Sequence, residues 1–254
     1  MSVPRPYLLS ETTWKNVREG GYSVAVLPWG ATEAHNFHLP YGTDNIETAH
    51  IATESARLAW ERGARVVVLP TVPFGVNTGQ LDIPLCLNVN PSTQALLLRD
   101  LVESVGRAGI RKLLLLNGHG GNDFRAMIRE LSPGPVFLCT ANWYTASDPQ
   151  EYFSEPGDHA GELETSVMLS IAPDLVLSLS EAGPGSARRF RVRGLRDGLA
   201  WAPRHWIQLS SDTGVGDPRQ ATPEKGARFV AAVSARLAEF LIELAAVDPD
   251  DLYH

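Results

Sequence analysis

The sequence predicts an α/β protein: a three-layer α/β/α sandwich with a mostly parallel central sheet. Three observations carry this. The chain has 254 residues, of which 44% are hydrophobic and 20% charged. Such a composition belongs to a folded chain rather than a disordered one, and the length suits one large domain or two small ones with a well-buried core. Four compact apolar runs, at 22–27, 65–69, 112–116 and 135–139, are each bounded on at least one side by Pro, Gly or Asn, as strands buried on both faces are. Helical patterns fill the gaps between them, and that alternation predicts a parallel sheet with helices on both sides.

The helices are expected at 46–61, 93–107 and 124–131, with Gly63 and Gly109 as stops. Another should run from about 160 to 171. The stretch 183–222 is richer in Gly, Pro and Arg and reads as irregular loops or edge strands. The last helix, 223–247, opens with Pro223 behind Thr222 as N-cap. Phe229, Val233, Leu237, Phe240 and Leu241 form its apolar stripe. No repeat or linker interrupts the chain, so a single domain over 1–254 is expected.

Charge and cysteine usage exclude several classes. Asp and Glu number 29 against 22 Lys and Arg, a net −7, which argues against a nucleic-acid partner. Cys86 and Cys139 are the only cysteines, too few for a disulfide framework or a thiolate zinc site. No apolar run approaches the ~18 residues of a membrane span. The start, Met1-Ser2-Val3-Pro4-Arg5-Pro6, lacks the basic and apolar regions of a secretory signal. A cytoplasmic protein with no membrane partner is the expectation.

Three segments carry candidate chemistry. After the first strand, Glu33 and His35 are two apart, which places both on one side of an extended segment. Asp44 follows just before a helix. Carboxylate, imidazole and carboxylate are ligand types for Zn²⁺, Mn²⁺ or Fe²⁺, and one Asp can bridge two ions. The same residues also read as surface charge, a satisfied histidine and a helix N-cap. The third strand ends in Asn117-Gly118-His119-Gly120-Gly121-Asn122, at the strand end where α/β sheets bind ligands. That loop lacks the Lys and Ser/Thr of a phosphate loop and the spacing of a dinucleotide fingerprint. Finally, Asp158-His159-Ala-Gly-Glu162-Leu-Glu164 opens a helix. His159 and Glu162 are three apart and share a helical face, while Glu164 points elsewhere. Glu162 is therefore the candidate ligand and His159 the candidate general acid/base. An acidic first turn favoured by the helix dipole is the other reading of Glu162 and Glu164.

Together the segments hold the inventory of a two-metal hydrolytic site. They also resemble a known family. Gly30-Ala-Thr-Glu33-Ala-His35, His38-Leu-Pro-Tyr-Gly-Thr-Asp44, Asn117-Gly-His119-Gly-Gly-Asn122, His159-Ala-Gly-Glu162-x-Glu164-Thr165 and Gly216-Asp217-Pro218 through Gly226 look like the creatininase (creatinine amidohydrolase) family, in order along nearly the whole chain. The resemblance implies a parallel-rich α/β sandwich, two divalent ions per subunit, hydrolysis of a non-peptide or cyclic C–N bond, and a homohexamer. It implies that Glu33, Asp44 and His119 hold one ion and that His35 and Asp44 hold the other. In creatininase a Glu two residues after the His119 counterpart completes the second site. Gly121 stands there in this chain, so Glu162 is the expected replacement.

A small-molecule amide substrate would meet Trp143, Tyr144, His38, Gly120 and Asn122; the other reading of Asn117 and Asn122 is that they orient His119 or fix its turn. Buried packing is the other reading of Trp143 and Tyr144. Relatives with the same Asn-Gly-His-Gly-Gly-Asn sequence include a formamide deformylase and a peptidase that trims a precursor peptide. A non-catalytic binding protein of the same fold is the rival class. The arginines from Arg188 to Arg196 read as an anion site, a solvated edge or a subunit interface.

Overall fold

The computed structural model describes residues 4–253; Met1, Ser2, Val3 and His254 lie outside, and with them part of the N-terminal stretch read above. Four strands, β1 (Val24–Trp29), β2 (Val66–Val68), β3 (Lys112–Asn117) and β4 (Phe137–Asn142), form one sheet in the order β2-β1-β3-β4. Every pairing among them is parallel. The helices are α1 (Trp14–Gly20), α2 (Thr43–Glu61), α3 (Pro91–Arg107), α4 (Arg125–Leu131), α5 (Glu162–Ile171), α6 (Arg193–Arg196), α7 (Trp206–Leu209) and α8 (Pro223–Ala246).

The strands are continuous apolar runs because alternate residues enter two different cores. On one face Val24, Val26, Leu114 and Leu116 meet α2, α5 and α8 through Ile51, Val167, Phe229 and Val233. On the other, Leu27, Trp29, Leu113 and Leu115 meet α3 and α4 through Leu98, Val102 and Met127. The result is the three-layer sandwich expected from the alternation.

Local signals set the helix ends. The Thr222 side chain accepts from Lys225 N, and Gly63 and Gly109 both take positive φ. Lys112 is buried at the start of β3. Its Nζ donates to Ala245 O and Val247 O at 2.9 and 2.8 Å, satisfying carbonyls that the end of α8 leaves without helical partners.

Three expectations change. Phe240 is partly exposed while its neighbour Leu241 is buried, so the α8 stripe runs through Phe229, Val233, Leu237 and Leu241. The 183–222 stretch holds α6, α7 and loops; among the described residues its one strand-like contact is the bridge between Val215 and His159. Helix α1 was not anticipated, and it buries no residue, so it has no apolar stripe to betray it. Among the described residues no helix is long and apolar enough to cross a membrane.

The strand order positions the site. From β1 the chain passes to β2 on one side, then returns across to β3 on the other. Such a switch opens a crevice at the carboxyl ends of the two central strands. Trp29 pairs with Asn117 in the register, so the loops that follow them emerge side by side.

Helix α5 crosses α8 at Gly226, where an added Cβ would lie 1.9 Å from Ser166 O and 2.3 Å from Ser166 C. Both are backbone atoms and cannot rotate away. Gly226→Ala is therefore expected to cost about 1–3 kcal/mol through overpacking, read as a lowered midpoint in thermal or urea unfolding. An unchanged midpoint would show that the two helices are not held this closely.

Candidate metal centre

The loop between β1 and α2 carries Glu33 and His35, and the first turn of α2 carries Asp44. His119 follows β3. His159 lies just before α5, and Glu164 lies in its first turn. Asp44 sits between two imidazoles. Its Oδ1 is 3.0 Å from His35 Nε2 and its Oδ2 is 3.0 Å from His119 Nδ1. The second contact lacks hydrogen-bond geometry, so Oδ2 is a buried oxygen without a hydrogen-bond partner. Glu33 Oε1 is 2.9 Å from His119 Nδ1, 3.8 Å from His159 Nδ1 and 4.0 Å from His35 Nε2.

Each imidazole is anchored from behind. His35 Nδ1 meets Glu33 O at 3.1 Å, His119 Nε2 meets Val76 O at 3.1 Å, and His159 Nε2 meets Ala34 O at 2.8 Å. A carbonyl can only accept, so in each ring that nitrogen carries the proton. The other nitrogen is turned toward the carboxylates, as metal-binding or proton-transferring histidines require.

Three groups of donor atoms lie within 4.8 Å of one another: Glu33–Asp44–His119, His35–Asp44–Glu164 and Glu33–His35–His159. Asp44 belongs to the first two. Among the described residues no Lys or Arg forms an ion pair with Glu33, Asp44 or Glu164. Three carboxylates, one of them with an unpartnered buried oxygen, and three imidazole nitrogens suit one or more divalent cations of the zinc or manganese type.

The electrostatics follow from burial. Burial opposes charge on Asp44, but His35 and His119 outweigh it and hold the carboxyl below its ordinary range. Burial also opposes charge on His35, yet Asp44 raises that imidazole to about 10. His119 is raised in the same way by Glu33 and Asp44 against burial. Glu164 is raised by burial, with His35 and His159 partly offsetting it. Glu47, one turn after Asp44, is fully buried with both oxygens unpartnered. Burial, helped by Glu164 and Asp44, pushes it well above the usual carboxylate range.

The fold brings Glu33, His35, Asp44, His119 and His159 together, but Glu162 does not join them. Its Oε1 is 2.5 Å from Lys225 Nζ and its Oε2 accepts from Glu155 N at 2.9 Å. The expectation for Glu162 assumed a helix running through His159. In fact α5 begins at Glu162, and Ala160 turns the chain with φ 50°. Glu162 therefore faces α8, and Glu164, expected to point elsewhere, faces the histidines. Gly121 cannot carry a side chain here: a Cβ would stand 2.3 Å from Val76 O and 2.4 Å from His119 Nε2.

The expected substrate contacts divide. A cleft of about 770 Å³ over the donor atoms is lined by Tyr144 and Gly120, and also by Trp206, Trp201, Phe190 and Arg204. Trp143 is fully buried in the core against Phe229 and does not line it. Asn122 braces the turn instead, donating to Asn117 Oδ1 and accepting from Val76 N and Gln94 Nε2. His38 is buried on Thr165 Oγ1 at 2.9 Å, and burial lowers it to about 4. The aromatic wall comes from the 183–222 stretch: the Trp206 ring stands edge-on to His159, with centroids 4.7 Å apart. Its one signal in the sequence was a pair of tryptophans in a stretch without helical periodicity.

A family model described as creatininase, creatinine amidohydrolase, matches residues 10–241. The chain belongs to the creatininase family. A mycofactocin precursor peptide peptidase from Mycobacterium tuberculosis is 31% identical over 216 residues, covering 82% of this chain and 80% of that protein. A crystal structure from Bacteroides fragilis, provisionally assigned as a creatinine amidohydrolase, is 44% identical, with TM-score 0.93 over 99% of this chain and all of the other. A manganese form of creatininase superposes with TM-score 0.76 over 96% of this chain and all of the other at 22% identity, a likeness of fold. The creatininase fold and a parallel sheet flanked by helices thus stand together.

Glu162 is a structural ion-pair partner in this geometry. Glu162→Gln leaves one buried acceptor fewer for Lys225 and Glu155 N, and is expected to cost about 1–3 kcal/mol of stability. A thermal melt of the purified variant reads this directly; a wild-type midpoint would contradict it.

Proposed function

We propose that this creatininase-family hydrolase cleaves a non-peptide or cyclic C–N bond of an amide or formamide, as a single domain over 1–254 carrying two divalent ions. Zn²⁺ is the first choice, with Mn²⁺ or Fe²⁺ as alternatives. Glu33, Asp44 and His119 would hold one ion, and His35, Asp44 and Glu164 the other. The observation that carries the reading is Asp44, whose two oxygens face two different imidazoles, each with a further carboxylate in its donor group. Ions bound there would supply Lewis-acid activation of water and of the amide carbonyl.

The protein's own groups do the rest. The two donor groups hold reacting partners in fixed geometry, which lowers the barrier without new bonds. His159 is the proton carrier: its Nε2–H is committed to Ala34 O, so Nδ1 takes a proton from the attacking water and passes it to the leaving nitrogen. His35 and Trp206 fix that ring, with centroids 4.2 and 4.7 Å away. Tyr144, Trp201 and Trp206 give the substrate flat apolar contacts.

A second reading, peptidase action on a modified precursor, is favoured by the name of the 31% identical relative and by a cleft large enough for a peptide terminus. A homo-oligomer belongs to the same proposal. Leu199 and Trp201 are 88% and 85% exposed beside the cleft, and exposed apolar surface of this kind marks association surfaces.

Metal analysis and a substrate panel test these readings. Asp44→Ala should lose all bound metal and all turnover. Glu164→Gln should lose about one of two ions while Glu162→Gln keeps both. His159→Ala should keep its metal yet lose turnover by about 10²–10⁴. The panel should hold creatinine, other cyclic amides, formamides and C-terminally modified peptides; the class turned over chooses between amidohydrolase and peptidase. Full activity in chelator-treated protein would overturn the scheme.

A further inference from the structure

The segment 76–88 supplies none of the donor atoms, yet it is tied to the loops that do. Leu87 N donates to Thr32 O at 2.9 Å, Val76 N donates to Asn122 Oδ1 at 3.1 Å, and Val76 O accepts from His119. Within it Gln80 is 2% exposed and Cys86 is 7% exposed. Gln80 Nε2 donates to Glu33 Oε2. Its Oε1 accepts from Cys86 Sγ at 3.2 Å, and Cys86 Sγ accepts from Ala34 N at 3.2 Å.

We infer that Gln80 is a positioning residue for Glu33, and that Cys86 orients Gln80 for that task. The inference rests on the metal reading of the site, in which Glu33 is a ligand. A buried carboxylate has two oxygens. With Oε2 tied to Gln80, Oε1 is the one left to face His119, His159 and His35. A glutamine amide can present either end, and its carbonyl turned toward Glu33 would set two acceptors against each other. The Cys86 thiol decides the matter by donating to Oε1, which aims the NH₂ at the carboxylate. Burial raises the Cys86 thiol above its ordinary value, so it stays protonated and able to donate. The third contact, from Ala34 N, ties the sulfur to the residue after Glu33. The chain Ala34–Cys86–Gln80–Glu33 is thus closed on the metal loop itself.

Groups that orient ligands typically change metal affinity by about 10–100-fold when removed. Chelator-treated protein is titrated with Mn²⁺ or Zn²⁺ alone, in competition with a chelating dye, and the unfolding midpoint of each metal-free variant is recorded. Gln80→Met keeps the shape and removes the donor, and should weaken metal binding within that range. Cys86→Ala should weaken it in the same direction, and Cys86→Ser, which keeps a donor, should restore it. A role in packing alone would lower the metal-free midpoint and leave affinity unchanged. Wild-type affinity in Gln80→Met, or equal weakening in Cys86→Ala and Cys86→Ser, overturns the positioning role while the metal reading stands. If Gln80→Met does not fold, the two Cys86 variants decide alone. Failure of the wild-type protein to bind either ion overturns the metal reading, and this inference with it.

Discussion

The Asp44 carboxylate, buried between His35 and His119, is the constraint on which the rest of the arrangement depends. A buried charge without compensation costs several kcal/mol, so the carboxylate needs partners on both sides. Those partners come from two different loops, one after β1 and one after β3. They can meet because β1 and β3 are neighbours at the switch point and share a register that ends in Trp29 opposite Asn117. The start of α2 adds to this, because Asp44 lies in its first turn, where the helix dipole favours negative charge. Sheet order, register and helix start therefore converge on one side chain. The backbone carbonyls of Glu33, Ala34 and Val76 then fix which nitrogen of each histidine looks inward.

Much of this was legible in the sequence, for physical reasons. Strands buried on both faces have unbroken apolar runs, so β1 to β4 could be placed within three residues of their ends, the usual scatter for boundaries read from sequence. Glu33, His35, Asp44 and His119 could be read because they follow strands directly. Their position along the chain already fixes their position at the edge of the sheet. Glu162 was misread because a helical period was extended across residues 159–161, where Ala160 has a left-handed turn. Two residues of shift exchange the side facing α8 for the side facing the histidines. Trp143 was misread because an aromatic after a strand end looks the same whether it turns into the core or the cleft. Trp206, Gln80 and Cys86 act through contacts with residues 47 or 52 positions away, and such contacts leave no local pattern.

The relation between Gly121 and Glu164 joins the fold to the chemistry. Here the turn after β3 is packed so closely against Val76 that position 121 has no room for a Cβ. The same closeness lets Val76 O accept from His119 and lets Val76 N bind Asn122. A carboxylate on that turn and a tight 76–88 segment exclude each other. The acidic partner of His35 comes instead from α5, which packs against α2 and α8 and reaches the site from the opposite side of the crevice. An acidic residue placed at position 121 would push Val76 away and loosen the group that holds His119. The glycine and the close segment belong to one packing arrangement, and the carboxylate beside His35 is the one on α5.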